Sequence, residues 1–206
     1  MKYLTRFAFI AAWLFLCAVN LQAAETKPHI VLLSGESLYA SATTLPKFAK
    51  QLEQQNGYRC TTIVREAEHH FPSLDALGQA DLLIVFARRM QLPAGQLGQV
   101  KRYVESGKPV IGLRTASHAF QNWLELDKLV LGGNYHGHHN NNLLGNTTVV
   151  PKAKWHPILD GVEREFKMGG SLYKNTPLAQ TAKLLLTGAV EGHPAEPVAW
   201  THSYKG

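Results

Sequence analysis

The chain has 206 residues, a formal net charge of +6 and a hydrophobic share of 45%, enough for one domain with a real core. Its Lys and Arg are scattered rather than gathered in blocks, so the positive balance does not describe a nucleic-acid surface. Cys17 and Cys60 are the only cysteines, and Cys17 lies in a segment expected to be removed, which excludes an intrachain disulfide.

Lys2 and Arg6 precede the apolar run Phe7–Leu21, and Gln22-Ala23-Ala24 follows with small residues. This is the pattern of a secretory signal peptide over residues 1–23. The run is short for a membrane span, which needs about 20 residues. Leu16 before Cys17 does not fit a lipoprotein attachment site. The expectation is an exported, periplasmic or extracellular protein with no membrane segment after cleavage. Loss of Lys2 and Arg6 lowers the formal charge from +6 to +4. Cys60, inside a strand, reads as an inert thiol.

His29–Gly35 is continuously apolar and ends in Gly, as a buried parallel strand should. Leu45, Phe48, Ala49 and Leu52 recur at helical spacing, with Thr44 as cap, Pro46 in the first turn and Asn56-Gly57 as stop. Tyr58–Val64 and Asp81–Phe86 read as the second and third strands. A helix marked by Leu97, Val100 and Val104 follows Pro93 and ends at Gly107. Pro109–Leu113 is the fourth strand, turning at Gly112–Thr115 into a helix that opens near Ala116–Ser117 and runs to about Leu126. The alternation predicts an open, mostly parallel, doubly wound α/β sheet.

Beyond Leu131 the pattern changes. Gly132–Gly145 is rich in Gly, His and Asn and reads as a loop. Thr147–Val150, Glu165–Met168, Leu184–Thr187 and Pro197–Thr201 are short strand candidates that extend the sheet, partly antiparallel, or form a small lid. The chain stops directly after a strand-like segment, where a doubly wound domain would add another strand and helix. The domain, residues 28–206, is therefore expected to be incomplete at its carboxyl end.

Ligands of open parallel sheets bind outside the carboxyl ends of the strands. Those ends carry Glu36 with Ser37 and Tyr39, then Arg88 and Arg89, then Arg114, Thr115 and His118. A strand–turn–helix corner often exposes a nucleophile, but here the position holds Arg114, a fixed cation that cannot attack a carbonyl. Glu36 reads as a general base or as the partner of Arg114 or Arg88 in a fork. Arg88 reads as a ligand for substrate oxygens, and His118 as an acid/base with a pKa near working pH. In the loop, Tyr135 and His136 are candidate lid contacts. His136, His138 and His139 are also an alternative metal set, although no Asp or Glu lies between Lys128 and Lys152 to complete it. Trp155 and Tyr173 read as core under a loop or as sugar-stacking rings.

Seven stretches, in order, resemble one family: VLLSGES (31–37), ADLLIVFARR (80–89), YVESGKPVIGLRTASHAF (103–120), GGNYHGHH (132–139), WHPILDGV (155–162), SLYKNTPL (171–178) and EPVAWTHSYKG (196–206). The chain resembles the ThuA-like, trehalose-utilisation family of the class I glutamine-amidotransferase-like superfamily. The resemblance implies a flavodoxin-like sheet with its pocket at Arg114, which stands where the superfamily has its nucleophilic cysteine, and hence no glutaminase activity. Glu36, Tyr39, Arg88, Arg114, His118 and His136 fall on family motif positions. Two departures stand out. Gly170-Ser171 replaces an acidic pair common in the family, and SLYASATT follows the first strand where relatives are richer in charge.

Together these readings predict an exported protein of carbohydrate metabolism whose catalytic residues are Glu36 and His118, which move protons, and Arg114, which orients oxygens or stabilises a developing negative charge. Substrate contacts are expected from Tyr39, Arg88, Thr115, Tyr135 and His136, with neither cofactor nor metal. The alternatives are a non-catalytic carbohydrate-binding or scaffolding domain, and a metal-dependent hydrolase using the histidine loop. The expected partner is a small carbohydrate. Nothing in the sequence sets the oligomeric state.

Overall fold

A computed structural model describes residues 27–205; the leader expected at residues 1–23 lies outside them. The amino-terminal half is β1 (His29–Gly35), α1 (Ser41–Asn56), β2 (Arg59–Val64), β3 (Leu82–Ala87), α2 (Ala94–Glu105) and β4 (Val110–Gly112). The four strands form one parallel sheet in the order β2-β1-β3-β4. All seven residues of β1 are buried, because it is central and covered on both faces.

Alternation along β1 divides the core in two. Ile30 and Leu32, with Ile84, pack against Leu45 and Ala49 of α1. Val31 and Leu33, with Leu83 and Val85, pack against Leu97, Val100, Tyr103 and Val104 of α2. The helices therefore cover opposite faces, as the doubly wound expectation requires. α1 ends as predicted at Gly57, whose left-handed φ of 67° lets its N–H reach the Glu53 carbonyl.

Local differences have identifiable causes. α1 starts at Ser41, before Thr44, because Ser41 Oγ donates to the Glu36 carbonyl and ties the helix start to the end of β1. The helix expected after β4 is only a 3-10 turn, Arg114–His118. The carbonyls of His118 and Ala119, which a continuing helix would use, instead accept the N–H groups of Arg89 and Met90, and Gln121 N–H goes to the Met90 carbonyl. A π-helical turn follows at Leu126–Leu131.

The carboxyl-terminal strands do not extend the parallel sheet. β5 (Gly145–Val149), β6 (Glu165–Met168), β7 (Lys183–Val190) and β8 (Glu196–Thr201) form a separate antiparallel sheet, ordered β6-β5-β7-β8. Val149, Ala153, Leu159 and Leu185 make its small core. Trp200 Nε1 donates to the Leu131 carbonyl at 2.6 Å and links this sheet to the first half. Trp155 is not core: it is 81% exposed, with Lys154 and Arg164 over its ring. Cys60, on edge strand β2, is half-buried, and burial followed by the nearby Glu53 raises its thiol pKa. Among the described residues no helix is long and apolar enough to cross a membrane.

Candidate functional site

Three turns leave the carboxyl edge of the parallel sheet, and each contains a non-glycine residue in the left-handed region. These are Ala40 (φ 52°) after β1, Arg89 (φ 50°) after β3 and Arg114 (φ 44°) after β4. Each such residue costs about 1–3 kcal/mol and persists only where its surroundings dictate it. Here the bonds that dictate it are visible. The Ala40 carbonyl accepts from Thr43 and Thr44, Arg89 N–H is held by the His118 carbonyl, and Ser117 Oγ donates to the Arg114 carbonyl. The corner expected at Arg114 is therefore a strand running into a 3-10 turn, with Arg114 itself in the left-handed region.

The Arg114 guanidinium lies between two aromatic rings, its Cζ 4.7 Å from the Tyr39 centroid and 4.5 Å from the Tyr173 centroid. Nη2 donates to the Ser171 carbonyl at 3.1 Å and to Ser171 Oγ at 3.0 Å. Nε is buried without an acceptor among the described residues. The guanidinium thus lies over two aromatic rings and is pinned at one corner, a placement that suits arginine and not lysine.

His118 is buried and stacks on Tyr135, with centroids 4.6 Å apart and planes at 22°. Tyr135 in turn sits 4.6 Å from Tyr173. Burial lowers the His118 pKa to about 4, and the positive fields of Arg89 and Arg88 act in the same direction. It is therefore a neutral imidazole at ordinary pH rather than a group balanced near working pH. Ser117 Oγ lies 3.0 Å from His118 Nδ1 and 3.3 Å from the Arg114 carbonyl, and its one proton serves one of the two. With that proton on the Arg114 carbonyl, Nδ1 carries the ring proton and Nε2 is the acceptor; with it on Nδ1, the roles of the two ring nitrogens are exchanged. Burial raises the Tyr135 pKa and lifts that of Tyr173 to about 12, so both hydroxyls stay protonated as donors.

The other predicted residues divide. Glu36 is buried and pairs with neither Arg114 nor Arg88. Its carboxylate accepts the backbone N–H groups of Leu38 at 2.8 Å and Tyr39 at 2.6 Å. It shapes the turn that presents Tyr39. Arg88 is half-buried at the end of β3, its N–H on the Gly35 carbonyl. Thr115 lies wholly below the surface, its hydroxyl without a partner among the described residues. His136 is exposed and its Nδ1 turns to the Asn134 carbonyl, while its neighbour Tyr135 enters the stack.

The loop histidines do not converge. His138 packs beside Tyr173 with centroids 6.2 Å apart, whereas His139 is buried against His193 at 4.1 Å. Among the described residues no group of three His, Cys, Asp or Glu side chains is arranged to hold a metal ion. Tyr173, read from sequence as core or a sugar-stacking ring, joins the cluster, and two further residues, Ser171 and Asp127, were given no site role from the sequence. Ser171 and Tyr173 come from a loop between β6 and β7, more than fifty residues past Arg114, and no local pattern announces that contact. Asp127, buried and with a raised pKa caused by that burial, accepts Tyr135 N–H at 2.7 Å and sets the Tyr135 backbone.

Two cavities of about 580 Å³ each flank this cluster. One, polar, lies at the ends of β1, β2 and β3 and includes Arg65, Arg88 and Arg89. The other, mostly apolar, lies between β4 and β8 and includes Arg114, Ser117 and Tyr173.

Residues 31–206 match the family described as ThuA, trehalose utilisation. Among solved structures, the chain is 15% identical to a ThuA-like protein from Bacteroides uniformis, covering 90% of this chain and 81% of that one with a TM-score of 0.64. It is 16% identical to a ThuA-like protein from Parabacteroides merdae, covering 86% and 76%, with a TM-score of 0.67. A glutamine amidotransferase from Thermotoga maritima shares 9% identity over 85% and 72%, with a TM-score of 0.51. At these identities the likeness shows the fold alone. No curated protein matches.

Proposed function

Because the chain belongs to the ThuA (trehalose utilisation) family, we propose that it acts on a carbohydrate by proton transfer in the crevice bounded by Tyr39, Arg114, His118 and Tyr173. One observation supports the reading: the buried, neutral imidazole of His118 and the fixed guanidinium of Arg114 lie beside the same ring, that of Tyr173, at 6.1 Å and 4.5 Å from its centroid. Aromatic faces suit the apolar faces of sugar rings. Neutral His118 accepts a proton through its unprotonated ring nitrogen from a hydroxyl or from carbon beside a carbonyl. Arg114 faces the oxygen on which charge then develops, and its unpartnered Nε is a donor in want of an acceptor. Tyr135 and Tyr173 supply neutral hydroxyls for proton return. Glu36 is a positioning residue that holds Tyr39. The leader pattern at residues 1–23 supports export of this activity from the cytoplasm.

A thermal-shift screen of mono- and disaccharides and their keto forms identifies the ligand. With that ligand, Arg114→Ala and His118→Ala each lower turnover by about a hundredfold or more and leave the melting temperature near that of the wild type. Full activity in either variant overturns the reading. Specific binding with no turnover by the wild type favours instead a non-catalytic carbohydrate-binding domain.

A further inference from the structure

We propose that the polar cleft at the ends of β1, β2 and β3 binds an anionic group of the substrate, so that the ligand is an acidic sugar carrying a carboxylate or a phosphate. The proposal rests on the carbohydrate reading above and adds its charge.

The sheet places the cleft. In the order β2-β1-β3, Ser34 pairs with Val64 and Gly35 with Ala87. The next residue of each flanking strand is therefore an arginine, Arg65 beside Gly35 and Arg88 beside Glu36. Between β1 and β3 successive connections run in opposite directions, and such a switch point opens a ligand crevice. Gly35 lines it. A Cβ on Gly35 would collide with the Met90 sulfur and lie 2.9 Å from Ala87 Cβ.

Arg65, Arg88 and Arg89 line this one cleft of about 580 Å³. Among the described residues no carboxylate lies within 4.0 Å of any of the three. The only ion pair found joins His70 to Glu66, which engages one of the two glutamates at the cleft. With none of the three guanidinium groups ion-paired among the described residues, an anionic ligand can engage them through forked hydrogen bonds. Arg89 is held in its strained conformation by the His118 carbonyl, so the cleft and the proposed base are joined through backbone. Glu66 and Glu68 border the same cleft. They accept hydroxyl protons and disfavour polyanions, which selects a polyhydroxy ligand with one anionic group. The volume lies within the about 300–1,000 Å³ of small-molecule sites.

Calorimetry on the full chain compares glucose and trehalose with glucuronate and glucose 6-phosphate, and with inorganic phosphate and acetate. An acidic sugar is expected to bind at least about tenfold more tightly than glucose, with an advantage that shrinks as salt rises. Glucuronate ahead of glucose 6-phosphate identifies a carboxylate substrate, and the reverse a phosphate. The double variant Arg65→Gln, Arg89→Gln replaces half-exposed and exposed side chains and should lower acidic-sugar affinity to the glucose level while circular dichroism stays unchanged. Neutral sugars binding as tightly as acidic ones, or a double variant that keeps the preference, overturns the cleft and leaves the carbohydrate reading standing. Phosphate or acetate binding that depends on the arginines, with no sugar bound, supports the anion cleft and overturns the carbohydrate reading.

Discussion

His118 shows how one buried side chain ties stability to pH. Its folded pKa is about 4, against about 6.5 in an unfolded chain. Above pH 6.5 neither state is protonated and the native state has its full advantage. As pH falls from 6.5 to 4, the unfolded chain takes up a proton that the native chain refuses, so stability declines by at most about 3 kcal/mol. Urea unfolding at pH 7 and pH 4.5 should show this decline in the wild type and a smaller one in His118→Gln. An equal decline in both would mean that the imbalance lies elsewhere. On the proposed mechanism, in which neutral His118 is the base, turnover should likewise rise through about pH 4 and stay level across neutrality. Arg114→Lys should fail nearly as fully as Arg114→Ala, since a lysine ammonium reproduces neither the contact with two rings nor the fork on Ser171. That Arg114 and His118 stand beyond the end of a parallel strand was legible from sequence, because such strands leave continuous apolar runs. The local duty of Glu36 was not, since nothing in a sequence tells a carboxylate held by two backbone N–H groups from one aimed at a substrate.

At the level of elements, the continuous apolar runs of β1 and β3 and the glycine stop of α1 were readable, because burial on both faces and a left-handed cap leave direct marks in composition. The start of α1 left none. Ala40 adopts φ 52° with no side-chain cap, so the helix begins where tertiary bonds put it. That strain makes a prediction. Ala40 is exposed, and Ala40→Gly removes about 1–2 kcal/mol of left-handed strain at an entropic cost of about 0.4–1 kcal/mol in the unfolded chain. A net gain of roughly 1 kcal/mol should raise the melting temperature by about 2–4 °C. A fall would show that the turn is not strained. The absent helix after the elbow has the opposite origin. Residues 116–126 carry an acceptable helical pattern, but the His118 and Ala119 carbonyls bond across to Arg89 and Met90, and tertiary pairing overrides propensity. The separate second sheet was likewise hidden, since short strands with polar faces read the same whether they extend one sheet or build another.

The molecule as a whole builds its crevice from both halves. Tyr39, Arg114 and His118 hang from the parallel sheet, while Ser171 and Tyr173 belong to the segment between β6 and β7. That segment needs its own anchor. Buried Glu196, at the start of β8, supplies one: its Oε2 accepts from Asn175 N at 2.9 Å, Thr176 N at 2.9 Å and Thr176 Oγ1 at 2.8 Å. Three donors on one charged oxygen fix the backbone two residues beyond Tyr173. Glu196→Ala leaves them unpaired, at a cost of about 2–4 kcal/mol. It should also raise KM for the substrate about tenfold, since Tyr173 and Ser171 lose register with Arg114. Glu196→Gln retains an acceptor oxygen and should recover most of both losses. A variant with lower stability but unchanged KM would show that the second sheet only stabilises the fold, and that Arg114 holds its aromatic cage without help from β8.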